Sequence, residues 1–505
     1  MKLSRVGLGV VGIAALVPQP TEAQNANRPN IILIMTDQQR GDAMGCTSGG
    51  VVITPNIDAL ARDGVLFTSA YSSVPSSTPA RAGLLTGCSP WQHGMIGYGN
   101  QAETYPCEMP SMLKEAGYAA LAVGKMHYYP QQNTHGYDVV LFDESGRRTS
   151  PFFMSDYRKW FLSQHFGTNP DATGLSWNGH EGRAYTLPEE LHPTRWTADR
   201  AVEMIEGYDS AKPLFLKVSF ARPHSPYDPP QRLLDLYEGR EVLPTAHGDW
   251  VPEEWLTPVD PAEADRDACI CNLPEQYIAR SRRHYYASVT FVDEQIGRVV
   301  EALKAKGLYD NSLIFFVSDH GDMLGDHSMW RKTYPYEGSA AIPFIVKLPK
   351  ESACRAGRGT TIDLPVELRD VLPTCLDIVS VAQPAKMDGC SLLPLLKDDN
   401  PSWRRWIELE HAAIYWPENH WVALTNGHIK YIWLCAIGCE QLFDLDADPM
   451  EQHDLAADSR YAARLAELRQ AMVDYLSVRG GEWVSGGKLV RHTKKQIYGA
   501  NFPAR

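Results

Sequence analysis

The feature that most constrains this chain is a recurring unit: a short, β-branched apolar run that stops abruptly in polar residues. NIILIM at 30–35 runs into Thr36-Asp37-Gln38-Gln39-Arg40, and YAALAVG at 118–124 runs into Lys125-Met126-His127. LFLKVSF at 214–220 leads to Ala221-Arg222-Pro223-His224, and LIFFV at 313–317 leads to Ser318-Asp319-His320-Gly321-Asp322. Continuous apolar runs of this length read as strands buried on both faces, which implies a mostly parallel sheet. Helical patterns alternate with them. Thr54-Pro55 offers a cap and a proline at the first helical position, with Ile57, Leu60 and Ala61 as a face before Gly64. Residues 109–115 close at Gly117, and 286–306 carry Val289, Val292, Ile296, Val299, Val300 and Leu303 before Gly307. Buried strands alternating with helices predict an α/β fold, a large wound sheet covered by helices on both faces.

In such sheets ligands bind beyond the carboxyl ends of the strands, and all four polar clusters fall there. Asp37, Gln38, Asp319 and His320 form two acid-plus-neighbour pairs. Two carboxylates, an amide oxygen and an imidazole suit one divalent cation, whereas a single Asp after a strand is often only a helix cap. Lys125, His127, His224 and Lys332 make a second group. Singly they read as satisfied or solvated side chains. Together they supply two anion-binding ammoniums and two proton-transfer groups, which suits cleavage of an anionic ester with an alkoxide leaving group. A third element, STPARAGLLTG at 77–87, reads as a Ser/Pro turn opening a short helix, with Ser77 near an anion-favouring N-terminus.

Composition limits the remaining classes. With 44% hydrophobic and 22% charged residues in 505, the chain is globular rather than fibrous or disordered. A net charge of −13 argues against non-specific nucleic-acid binding but permits a local basic cleft. At the N-terminus, Lys2 and Arg5 precede an apolar run from Val6 to Val17, and Ala23 closes Pro-Thr-Glu-Ala. This order predicts a signal peptide over 1–23 and a periplasmic or secreted bacterial protein without a membrane span once the signal is removed. Ten cysteines are too sparse for a disulfide scaffold, and neither Cys269/Cys271 nor Cys435/Cys439 has zinc-site spacing. Buried or bridged cysteines are the expectation.

After Leu396 the texture changes. Lys397-Asp398-Asp399-Asn400-Pro401 reads as a linker, 421–424 and 428–433 as strands around Asn426-Gly427, and about 461–476 as a helix. The expected organisation is a catalytic domain over 24–397 and a smaller α+β subdomain with an antiparallel sheet over 402–505.

The run at 77–87 resembles the sulfatase signature: Cys or Ser, any residue, Pro, any residue, Arg, then Leu-Thr-Gly. PNIILIMTDQQRGD, TPNIDALARDGVLFTSAY, GKMHY, SDHGDMLGDH and QLFDLDADPMEQHDLA extend the similarity from about Pro29 to beyond Ala456. The chain is thus similar to type I sulfatases of the alkaline phosphatase superfamily. That resemblance implies that Ser77 is matured to formylglycine, and that its hydrated aldehyde presents a gem-diol to a metal held by Asp37, Gln38, Asp319 and His320. One hydroxyl would attack sulfur. Arg81 would hold the diol, Lys125 and Lys332 would neutralise the sulfate oxygens, and His224 would protonate the leaving alcohol. His127 would then take the second diol proton and expel sulfate.

Ser in place of Cys implies an oxygen-independent, radical sulfatase-maturing enzyme as a partner. Calcium is the metal expected from the family, with manganese or zinc open because His320 replaces a common Asn and Gln38 a common Asp. The expected substrate is a sulfated oligosaccharide. The Asp-Gln and Asp-His pairs resemble glycosaminoglycan uronate 2-O-sulfatases, with hexosamine 6-O-sulfate as the next choice. A phosphonate monoester or phosphodiester hydrolase of the same superfamily is the nearest rival, and a catalytically silent glycan-binding protein is the different-class alternative. Arg147, Arg148, His135 and the basic tail around Arg491 and Lys494 are expected to meet further substrate charge.

Overall fold

The computed structural model describes residues 28–171, 173–398 and 401–503; the predicted leader and part of the predicted linker lie outside them. In chain order its strands are β1 Asn30–Asp37, β2 Val65–Phe67, β3 Ala70–Tyr71, β4 Ala119–Gly124, β5 Val139–Phe142, β6 Leu214–Pro223, β7 Ser312–Ser318, β8 Phe344–Lys347 and β9 Thr360–Ile362. β10 Val366–Glu367 follows, then β11 Ile407–His411, β12 Trp421–Thr425, β13 Ile429–Leu434 and β14 Cys439–Asp444. Eight strands form the main sheet in the order β5-β4-β6-β1-β7-β8-β2-β9, and only β8 runs antiparallel to its neighbours. The four strands read from the sequence are the contiguous parallel centre, β4-β6-β1-β7. Ile31 of β1 lies opposite Phe215 of β6 and Leu313 of β7, so their carboxyl ends share one edge.

Every residue of β1 is buried because alternate side chains enter two separate cores. Ile31, Leu33 and Met35 pack with the helices Ser77–Thr86, Met109–Glu115 and Val371–Ile378. Ile32 and Ile34 pack on the other face with Pro55–Asp63, Pro193–Glu206 and Glu275–Ala305. This is the three-layer arrangement the apolar runs imply. The last helix begins eleven residues before the predicted 286, because Pro274 sets its N-terminus and Ile278, Ser281 and Arg282 are already buried. The apolar-stripe pattern missed that first stretch because it buries an Arg and a Ser.

The C-terminal strands form an antiparallel sheet, β11-β12-β13-β14, with the predicted Asn426-Gly427 turn between β12 and β13. One face, through Leu409, Trp421 and Phe443, packs on Met323, Met329, Tyr334 and Tyr336. The other, through Val422, Leu424 and Leu442, packs on the helix Ala462–Ser477. The second sheet therefore buttresses the loop that carries Lys332. All ten cysteines are unpaired, so the bridged half of the cysteine expectation is not realised. Among the described residues no helix is long and apolar enough to cross a membrane.

Candidate active site

Four strand ends and one helix start deliver the site. β1 ends in Asp37, followed by Gln38 in a left-handed conformation at φ 67°. β4 ends before Lys125, β6 before His224, and β7 before Asp319 and His320. Ser77 opens the helix Ser77–Thr86 behind an extended Ser76, and Gly87 ends it at φ 66°, where a Cβ would strike the Met387 sulfur at 2.8 Å. Every residue of that helix is buried, so Ser77 is fixed rather than displayed on a mobile loop.

Arg81, one turn along, ties the parts together. It donates to Asp37 Oδ2 and to Asp319 Oδ2, each at 2.9 Å, and to the Lys125 carbonyl and Ser219 Oγ at 2.6 and 3.0 Å. Lys125 Nζ also reaches Asp37 Oδ2, at 2.8 Å. Ser77 Oγ lies 3.4 Å from Asp37 Oδ2 and 3.1 Å from His320 Nε2. Nδ1 of His320 faces the Gly321 carbonyl at 2.9 Å, which assigns its proton there and leaves Nε2 with a free lone pair. His224 is held the same way, Nδ1 to the Ser225 carbonyl at 2.8 Å, and its Nε2 accepts from Lys332 Nζ at 2.8 Å.

Burial alone would raise the Asp37 carboxyl, but the positive charges of Lys125 and Arg81 outweigh it and hold Asp37 well below the usual carboxylate range. Burial pushes the imidazoles the other way. His224 falls well below its ordinary value, helped by Lys332 and Lys125, and His127 does so with help from Arg147, Lys125 and Arg81. Lys332 is pushed down to about 8, chiefly by burial. A pocket that gathers Arg81 and two lysines beside neutral imidazoles is built to receive an anion.

The donor set fits a divalent cation. One ligand atom each from Asp37, Asp319 and His320 lie within 4.8 Å of one another, all buried. Asp37 Oδ1 is buried without any hydrogen-bond partner, as a metal-facing oxygen would be in the bare protein. Gln38 is placed differently from the expectation of a plain metal ligand. Its Oε1 accepts from Lys332 Nζ at 2.6 Å, while its Nε2 donates to Asp322 Oδ2.

Both nitrogens of His127 are buried without partners, and its left-handed backbone at φ 60° is held by Glu144, whose Oε1 accepts from the amides of Met126 and His127. Glu144 and Asp322 were missed in the sequence. Glu144 follows the short strand β5, a fifth apolar run ending in acids, and Asp322 closes the same Asp-His-Gly-Asp stretch that supplies Asp319.

Of the residues expected to meet further substrate charge, His135 is buried against Glu108 at 2.8 Å, and Arg147 leans on Glu144 at 3.4 Å. Arg148 bonds the Pro151 carbonyl, Lys494 pairs with Glu482, and Arg491 bonds the Ala436 carbonyl. Glu108, Glu144 and Glu482 thus face three of these side chains, whereas the carbonyls beside Arg148 and Arg491 leave their charge uncompensated.

A wound, mostly parallel sheet with a separate antiparallel sheet packed on its Lys332 loop is the alkaline phosphatase-like architecture. Residues 29–381 match the family model "Sulfatase", and 325–477 match "N-sulphoglucosamine sulphohydrolase, C-terminal". The chain belongs to the sulfatase family. It is 36% identical to an arylsulfatase of Clostridium perfringens over 479 residues, covering 92% of this chain and 98% of that protein. Among solved structures, it is similar to a phosphonate monoester hydrolase of Agrobacterium radiobacter (TM-score 0.73, 26% identity, 90% of this chain and 95% of that one). It also shares its fold with a protein solved with D-glucosamine-2-N,6-O-disulfate (TM-score 0.69, 23% identity, 89% and 98%).

Proposed function

We propose that this chain is an exported, periplasmic or secreted bacterial hydrolase of sulfate esters on sugars, with uronate 2-O-sulfate at a non-reducing end as the first-choice substrate and hexosamine 6-O-sulfate as the second. One observation carries the reading: Ser77 Oγ sits 3.1 Å from His320 Nε2 and 3.4 Å from Asp37 Oδ2, on a helix whose Arg81 binds both site carboxylates. A nucleophile position, a cation site and an anion pocket thus coincide.

Oxidation of Ser77 to formylglycine by a radical maturing enzyme would supply a hydrated aldehyde whose oxygen attacks sulfur. A divalent cation held by Asp37, Asp319 and His320, with Gln38 Oε1 beside them, would neutralise charge on that oxygen and on the ester. Calcium is the family's choice, and the imidazole ligand fits manganese or zinc better. Lys125 and Lys332 bind the sulfate oxygens, and Arg81 fixes both metal carboxylates in place. His224, neutral at rest, takes a proton from Lys332 Nζ, 2.8 Å from its Nε2, as the anionic ester raises its basicity, and passes it to the leaving alcohol. His127, with two unengaged nitrogens, accepts the proton that frees sulfate.

The second reading is a phosphonate monoester hydrolase, favoured by the neutral Gln38 and by His320 at the metal site. Rates on matched aryl sulfate and aryl phosphonate esters, with defined sulfated sugars alongside, decide between them. Sulfate release that exceeds phosphonate cleavage supports the sulfatase reading, and the reverse order contradicts it.

A further inference from the structure

Arg331 precedes Lys332 and belongs to none of the roles above. Its Nε and Nη2 are both buried without an acceptor, and no ion pair holds it among the described residues. These two nitrogens are the parallel donors that elsewhere in this protein grip carboxylates: Arg222 on Asp228 at 2.8 and 3.0 Å, Arg469 on Glu440 at 2.6 Å twice, and Arg232 on Glu189 at 2.8 and 2.7 Å. The side chain as a whole is half-buried, but buried donors left without an acceptor are costly unless something fills them.

The surroundings hold the fork in position. The guanidinium stacks over the Tyr415 ring at 5.4 Å, and Arg331 N donates to Asp322 Oδ1 at 2.9 Å, the same carboxylate that grips Gln38. Arg331, Thr333 and Tyr415 all adopt left-handed backbone, at φ 71°, 84° and 69°. For a β-branched or aromatic residue that conformation is strained, and strain of this kind concentrates at ligand clamps. Asn419, just before β12, and Trp421 at its start lock the strained segment by bonding Thr333 at 3.0 and 2.9 Å. Tyr415, on which the guanidinium stacks, lines a cavity of about 630 Å³ together with Tyr334, Trp255, Trp416 and Trp421. Aromatic walls of that kind take the apolar face of a ring.

We propose that Arg331 receives a second oxyanion of the substrate, a carboxylate or a further sulfate on the sugar that carries the scissile ester, with the ring against the Tyr415 side of this cavity. The inference rests on the sulfatase reading and narrows its substrates to sugars with two negative charges. Arginine is the residue for this task, because its planar fork matches both oxyanions bidentately.

Two matched substrate pairs test it and separate the two sources of charge: a uronate 2-O-sulfate disaccharide against its carboxyl-reduced counterpart, and glucosamine 6-O-sulfate with and without N-sulfate. The parent enzyme should prefer the doubly charged member of one pair at least tenfold in kcat/KM. Arg331→Gln should erase most of that preference, and Arg331→Lys should keep part of it. No preference in either pair, or equal loss on both members as a merely structural role would give, overturns the proposal. If no sugar is turned over, the sulfatase reading fails, and calorimetry with D-glucosamine-2-N,6-O-disulfate then decides for Arg331 alone. Binding weakened tenfold or more by Arg331→Gln supports the assignment, and unchanged or absent binding in the parent overturns it.

Discussion

Lys332 Nζ donates to Gln38 Oε1 at 2.6 Å, so an ammonium occupies the amide oxygen that the sequence assigns to the metal. The same ammonium lies 2.8 Å from His224 Nε2. Anion binding, metal binding and proton transfer therefore meet at one lysine. Replacing Lys332 with Ala should lower kcat about 10²–10³-fold, the usual cost of one preorganised charge donor. Lys332→Arg should recover part of it, since it restores charge but not the point geometry. Steady-state kinetics on one sulfate ester check both.

Gln38 depends on Asp322 for its orientation. Asp322 Oδ2 accepts from Gln38 Nε2 and from Tyr227 OH, and Oδ1 from the amides of Leu324 and Arg331. Asp322→Asn should let the Gln38 amide turn over, take its Oε1 from Lys332 and cost about 10–100-fold in activity, as lost partners of oriented site groups do. Tyr227→Phe should cost less. Metal titration and kcat/KM, measured beside a circular dichroism spectrum that stays native, provide the check.

Asp37 and Asp319 should govern metal content. Each also neutralises the buried Arg81, and stranding that cation would cost about 3–5 kcal/mol. Asn removes the charge as Ala does but keeps an acceptor for Arg81, so it is the milder variant, with a native circular dichroism spectrum as its control. The parent protein should carry one divalent ion per chain by elemental analysis, and Asp319→Asn should lose the metal and the activity together. Full activity after exhaustive chelation would contradict the metal assignment.

Much of this was legible because it follows from strand periodicity. Apolar runs followed by Asp37, Lys125, His224 and Asp319 give both the sheet and the edge where those groups converge. What stayed hidden depends on pairing across the fold. Glu144 holds the His127 backbone from a short, half-buried strand, and Arg331 matters only because nothing binds its fork. The anion-binding expectations for His135 and Lys494 met partners, Glu108 and Glu482, that composition cannot reveal.

Stability should fall in mild acid. Burial lowers His411 and His327 to about 4, and His93 and His420 to about 3, from an ordinary 6.5. Neutral imidazole is what the folded chain keeps, so this stability is fully present above pH 6.5 and is lost as pH falls toward 4, at about 1.4 kcal/mol per unit for each group. Calorimetric Tm at pH 5 should lie below that at pH 7. His411→Gln should narrow the gap while lowering Tm at pH 7, because it disturbs the 2.9 Å bond with Ser76. A Tm that does not change between the two pH values would contradict this assignment.

The most direct test of the central claim is made at Ser77. Protein from a host that matures Ser-type sites should yield the peptide Asp63–Arg81 with two hydrogens missing at Ser77, and should release sulfate from a sulfated sugar. Ser77→Ala should retain the native fold and release none. Full sulfate release by protein whose Ser77 is unmodified would contradict the proposed nucleophile.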